Sequence, residues 1–148
     1  VVGERGYYAR VSRFRVEDTP ADFSLLTLCM FLVCAMPVDG EMSLETRGLY
    51  VRNKGLVGML EAMGMNTLAM LQSRLLLTTF EIGHAMYPAA YISAGANIQA
   101  AVDLGASAAS SADLSKAFPD PKIAEEARQT WCGIVITNRL ESLVAPIG

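Results

Sequence analysis

Two stretches decide the fold: YPAAYISAGANIQAAVDLG from Tyr87 to Gly105, and EEARQTWCGIVITNRLESL from Glu125 to Leu143. Pro88 falls in a first helical turn, where a missing amide costs nothing. Tyr91, Ala94, Gly95, Ile98, Ala101 and Val102 then recur at helical spacing up to Gly105, a natural C-terminal stop. Ala94 and Gly95 on that stripe predict close approach of a neighbouring helix. The segment 106–118 is small and polar and reads as a loop holding one short helical turn. Asp120-Pro121 then starts another helix, with Glu125 and Glu126 near its positive end and Glu125 one turn before Arg128. Trp131, Ile134, Val135, Leu140 and Leu143 are its expected buried side.

Working towards the N-terminus, LAMLQSRLLLTTFEIGHAM predicts a helix from Thr67 to Met86 that is apolar on most sides. Ser43 can cap an earlier one, along which Leu49, Asn53, Leu56, Leu60 and Met63 recur before Gly64. Thr19-Pro20-Ala21-Asp22 has the form of a capping box opening a first helix that Pro37 ends near Met36. Being apolar nearly all round, that helix is expected to be central. Residues 1–18 read as a linker or irregular segment, and 19–148 as one helical unit. Nothing reads as a β-sheet. The expected fold is all-α, about five main helices in antiparallel pairs, part of a larger helical domain.

Composition excludes several functions. The net charge of −3 argues against a phosphate-gripping surface. Arg5, Arg10, Arg13 and Arg15 crowd the start of the chain, but Glu4, Glu17 and Asp18 dilute them into a solvated run. Cys29, Cys34 and Cys132 are odd in number, form no Cys-x-x-Cys pair and lie in apolar helical stretches. They read as buried reduced thiols of an intracellular protein, not as a disulfide framework or zinc site. Phe23 to Met36 is too short to span a bilayer, which needs about 20 apolar residues, so no membrane partner is expected. Val1 without an initiator Met, and Pro146-Ile147-Gly148 directly after an apolar helix, lead us to expect a piece of a longer chain.

Candidate chemistry is thin. Glu81 and His84 share a helical face, and one Glu-x-x-His could supply half of a di-metal site. His84 is the one histidine, so the second copy is missing. No phosphate-cradling Gly-rich loop and no nucleophile elbow occurs. Gly55, Gly58 and Gly64 belong to a helical pattern. Arg128, Trp131, Asn138 and Arg139 share a helix and could meet a ligand. The preferred reading is a buried Trp with polar residues tying adjacent helices. The expectation is no enzyme, with no catalytic, cofactor-binding or metal residue assigned.

Beside this reading stands a resemblance. Tyr91, then Gly95, Ala96, Ala101, Asp103, Leu104 and Gly105, then Glu125, Arg128, Trp131 and Arg139 follow a known order and spacing. They resemble the regulatory middle homology region of fungal zinc-cluster transcription factors. The chain departs from that pattern at Gln99, Ala106-Ser107, Gln129, Cys132 and Asn138. Neutral Gln99 and Asn138 stand at usually charged positions, so a polar tie there becomes uncharged or is lost. The resemblance covers residues 21–143, and its last third is the diagnostic part. It implies a nuclear regulator of RNA polymerase II transcription, whose separate six-cysteine module binds zinc and DNA. The helical region then needs no cofactor, and a small-molecule effector, a co-regulator protein or a second copy is its expected partner. The alternative is a free-standing helical protein–protein interaction module.

Overall fold

The computed structural model describes residues 19–35 and 41–144, with side chains as far as Leu140. The segment 1–18, Pro37 and the side chain of Leu143 lie outside that description. Six helices occur in order: α1 (Ala21–Cys34), α2 (Leu44–Ala62), α3 (Leu68–Gly83), α4 (Tyr87–Leu104), α5 (Ser111–Ala117) and α6 (Pro121–Val144). No strand occurs among the described residues. The fold is all-α, as the periodicity predicts.

Local chemistry sets most boundaries. Ser43 Oγ accepts from Thr46 N at 3.1 Å, so the expected cap of α2 forms, and Thr67 Oγ1 caps α3 in the same way from Met70 N at 3.2 Å. Ser110 caps α5 the same way at 3.1 Å, and that seven-residue helix is more than the single turn expected. At the other ends, Gly64 and Gly105 take φ of +76° and +79°. The amide beyond each glycine bonds back, Met65 N to Leu60 O at 3.0 Å and Ala106 N to Ala101 O at 2.9 Å.

Gly105 carries a second constraint, because a Cβ there would lie 3.0 Å from Ala117 Cβ on α5. We expect Gly105→Ala to destabilise the protein by about 1–2 kcal/mol, from left-handed backbone strain plus this contact. A urea melt checks it, and an unchanged midpoint would refute it.

Three boundaries differ from expectation. Pro20 flanks α1 instead of opening it, and no side chain caps that end. The carboxyl of Asp22 accepts from Phe23 N at 2.9 Å and from Thr67 Oγ1 at 2.6 Å, tying the starts of α1 and α3 together. The backbone is already extended at Ala35. Helix α3 stops at Gly83, short of the expected Met86, and in the turn that follows Ala85 adopts a left-handed φ of +54° that its residue type does not favour.

The central helix is α3, which packs against α1, α2, α4 and α6. Helix α1, expected to be central, leaves Phe31 68% exposed. Glu61 on α2 meets Arg74 on α3, while Tyr50 and Lys54 meet Glu81. Asn66, just before α3, meets Asp103 near the end of α4, and Thr78 meets Asn97. Both neighbours of α3 in sequence therefore run antiparallel to it.

One core cluster joins α3, α4 and α6 through Leu71, Leu75, Ala100, Ala101, Ala127 and Ile134. A second joins α1, α2 and α3 through Leu25, Cys29, Tyr50, Val57, Leu77 and Phe80. The small-residue seam is confirmed on α4, but its register is turned. Ala90, Ser93, Ala94, Asn97, Ala100 and Ala101 are buried, whereas Tyr91 is 65% exposed and Gly95 meets open space. On α2 the buried residues are Tyr50, Asn53, Val57 and Leu60, and Met63 is exposed. On α6 the inward residues are Ala124, Ala127, Thr130, Ile134 and Thr137, with Trp131 and Val135 half-buried and Leu140 exposed.

Candidate functional site

The described surface is cut by a cleft between α2 and α4, floored by α3. Its inner part encloses about 220 Å³, lined by Lys54, Val57 and Gly58 from α2, Arg74 and Leu77 from α3, and Ile92, Ser93 and Asn97 from α4. A wider, more open recess of about 450 Å³ continues from it past Glu61, Arg74 and Ala96 to Gln99 and Asp103. The walls are low because Gly58 and Ala96 carry little or no side chain.

Behind two of the lining residues, Lys54 and Ser93, sits a buried carboxylate. Glu81, in the last turn of α3, is wholly buried. Its Oε1 accepts from Tyr50 Oη at 2.7 Å and contacts Lys54 Nζ at 2.7 Å. Tyr50 and Lys54 are one turn apart on α2, so a single helical face delivers both donors. Lys54 Nζ also donates to Ser93 Oγ at 2.5 Å, joining α2 to α4 above the floor. A buried carboxylate is costly unless paired, which accounts for two donors on one oxygen. Glu81 Oε2 has no partner, and neither amide atom of the fully buried Asn53 has one. Burial foremost, and then the hydrogen bond to Glu81, raise the Tyr50 phenol well above its ordinary range.

Further along, Arg74 Nη2 meets Glu61 Oε1 at 2.5 Å, while its buried Nε has no partner. Asn97 Nδ2 donates to Thr78 Oγ1 at 2.8 Å. Asn66 Nδ2 reaches Asp103 at 2.8 Å and Ala100 O at 3.1 Å.

The nearest approach to a catalytic pair is Ser93 with Lys54, but its chemistry is wrong. A lysine that activates a serine must be neutral to take its proton. Lys54 lies against the Glu81 carboxylate and acts as an ammonium donor, while Ser93 Oγ itself donates to Ala89 O at 2.7 Å. As placed, the cluster ties α2, α3 and α4 together.

The pair singled out in sequence does not assemble. Glu81 turns to Tyr50 and Lys54, whereas the His84 ring packs on Phe80 at 4.0 Å between centroids, with Nδ1 2.9 Å from Phe80 O. Among the described residues no cluster of His, Cys, Asp or Glu could hold a metal. On α6, Arg128 forks onto Glu125 at 2.8 and 2.6 Å on the exposed surface. The hydrogen bonds from Arg128, and then Gln129, hold the Glu125 carboxyl down at about 2. Trp131 packs half-buried against the core, and Arg128 bonds within its own helix instead of to an adjacent one. The cysteines differ from expectation: Cys29 is buried, with its thiol pushed up to about 12 by burial, but Cys34 and Cys132 are exposed. Both fall on the outer sides of helices whose apolar character does not reveal which face is inward. No described helix is long and apolar enough to cross a membrane.

Sequence reasoning missed the Lys54–Glu81–Ser93 cluster. Its one trace was polar residues, Asn53 and Glu81, on otherwise apolar faces.

A search of curated proteins finds Transcription factor BOA15 of Botryotinia fuckeliana (strain B05.10), 40% identical over 98 residues. The match takes in 65% of this chain and 52% of that protein, so it spans about half the relative's length. No family model matches the chain, and no solved structure matches it.

Proposed function

We propose that residues 19–148 are the regulatory, non-DNA-contacting region of a fungal nuclear zinc-cluster transcription factor, without catalytic activity of its own. The observation that carries this reading is the 40% identity with a protein named a transcription factor. The ordered Gly95–Gly105 and Glu125–Arg139 pattern supports the finer assignment, and its two halves lie on α4 and α6, which pack together. The mechanism is conformational: a partner or small molecule that favours one arrangement of the helices biases presentation of an activation surface. Zinc and DNA contacts belong to a separate module of the parent protein.

The test tethers this chain to an unrelated DNA-binding module at a reporter promoter in a fungal cell. Reporter output should change at least several-fold, up or down, against the module alone. Unchanged output, with the fusion present in the nucleus, would overturn the reading. One observation favours the interaction-module alternative: Val51, Met59 and Met63 recur at multiples of four along α2 and are all exposed. A melting temperature that rises with protein concentration, together with a silent reporter, would select that alternative.

A further inference from the structure

We propose that the outer face of α2 pairs antiparallel with the same face of a second copy of this chain, along Leu44, Gly48, Val51, Gly55, Gly58 and Ala62. These residues are spaced alternately four and three apart, the repeat that keeps one helical seam turned towards a partner helix. None carries a polar side chain. Tyr50, Asn53, Val57 and Leu60 take the opposite side of α2 into the core, so the seam faces outward. Leu44 is 86% exposed and Val51 60%.

The glycines call for a partner. Glycine is a poor helix former, yet three lie on this one face of α2. A Cβ at Gly48, Gly55 or Gly58 meets nothing within 4 Å, so no contact inside the chain requires them. A helix laid on this face does, because a position without a side chain receives a large residue from across the seam.

The order of sizes then identifies the occupant. Reversing α2 about Asn53 sets Leu44 against the partner's Ala62, Val51 against the partner's Gly55 and Gly48 against the partner's Gly58. Each large residue meets a small one, and the two-fold axis repeats every match. A parallel pair would instead set Leu44 on the partner's Leu44 and Gly48 on the partner's Gly48, a collision beside a void. Charge agrees with the antiparallel register, which brings exposed Arg47 beside the partner's Glu61 on both sides of the axis. Glu61 engages Arg74 through Oε1, so Oε2 is the oxygen that takes the partner's Arg47. Exposed Arg52 lies beside its own copy at the axis, a repulsion its long side chain relieves by turning to water.

Area limits the affinity. With 19 residues, α2 is about 28 Å long and roughly 10–12 Å across, a footprint on the order of 300 Å² per copy. A stable interface takes roughly 800 Å² per partner, so this dimer is weak, with a Kd on the order of 100 μM.

The pairing gives the interaction-module reading a surface and does not rest on the regulatory one. A monomeric chain with an active reporter would sink this proposal alone, and a dimer with a silent reporter would sink only the regulatory one.

The test is sedimentation equilibrium on the full chain, up to about ten times that Kd. A monomer–dimer equilibrium is expected. Gly55→Lys should fold, because its Cβ has open space and it replaces a poor helix former, and should stay monomeric throughout. Arg47→Glu should weaken the dimer at least about threefold. Oxidative cross-linking, with Cys34 and Cys132 replaced by serine, reads the register. Arg52→Cys should link to its own copy and Leu44→Cys should not, whereas a mixture of Leu44→Cys and Ala62→Cys chains should link. A chain that stays monomeric, a dimer undiminished in folded Gly55→Lys or in Arg47→Glu, or self-linking of Leu44→Cys would each overturn the proposal.

Discussion

Replacing Lys54 with methionine destabilises the protein by about 3 kcal/mol, whereas Glu81→Gln costs only about 1 kcal/mol. The asymmetry follows from where each partner sits. Glu81 is wholly buried, and without the ammonium its carboxylate retains a single hydrogen bond, from Tyr50. Breaking a buried pair in this direction typically costs about 3–5 kcal/mol. The lower end applies because the Lys54 side chain is 36% exposed, so the pair is already partly solvated. In Glu81→Gln the lysine can turn its ammonium to water, and the amide oxygen still accepts from Tyr50. Methionine keeps an unbranched stem and good helix propensity, so the loss measures the charge and not the helix. Urea melts read the difference, and the lysine variant should melt about 6–12 °C lower by heat. Equal losses for the two variants would mean that Glu81 is not held as a buried carboxylate in the folded protein.

The residues of this cluster show what the chain discloses when read in order. Helix ends are local events, and Ser43, Thr67, Gly64 and Gly105 announce them through their own chemistry. The left-handed turn at Ala85 after α3 is not legible, because alanine does not favour that conformation. Which face of a helix turns inward is legible only where polar and apolar residues alternate. On α4 the alternation fails: Ala90, Ser93 and Asn97 go inward while Tyr91 and Ile92 go out. The seam selects for smallness, not hydrophobicity, so an apolar stripe drawn through Tyr91 and Val102 is turned away from it. Helix α1 fails similarly, since uniform apolarity says nothing of Phe31. The site was least visible because its parts lie on three helices. Lys54 and Glu81 are 27 positions apart and Ser93 lies 12 beyond Glu81, so pairing them requires knowing that α2 and α4 flank α3. His84 drew attention by its rarity and then proved to be packing.

That α4–α6 seam also determines where a cavity is most damaging. Leu71→Ala should destabilise the protein by about 4 kcal/mol, in the upper part of the roughly 2–5 kcal/mol span for such truncations. Leu71 is fully buried in the first turn of α3, in the cluster that contains Ala100, Ala101 and Ala127. The spread among such truncations reflects how far the surroundings collapse into the space left behind. Alanines have no rotamer that can reach into a void, so relief requires whole helices to shift. The two helices that would have to move, α4 and α6, also pack directly on each other, which holds them apart from α3. The longer members of the same cluster, Leu68, Leu75, Leu114, Phe118 and Ile134, limit the loss without removing it. Ile92→Ala, by contrast, removes a side chain 71% exposed at the cleft rim and should change stability by no more than about 0.5 kcal/mol. Denaturant midpoints at equal slope compare the two. A Leu71→Ala loss of about 1 kcal/mol would show that the seam repacks freely and that the alanines do not fix the spacing of α4 and α6 around α3.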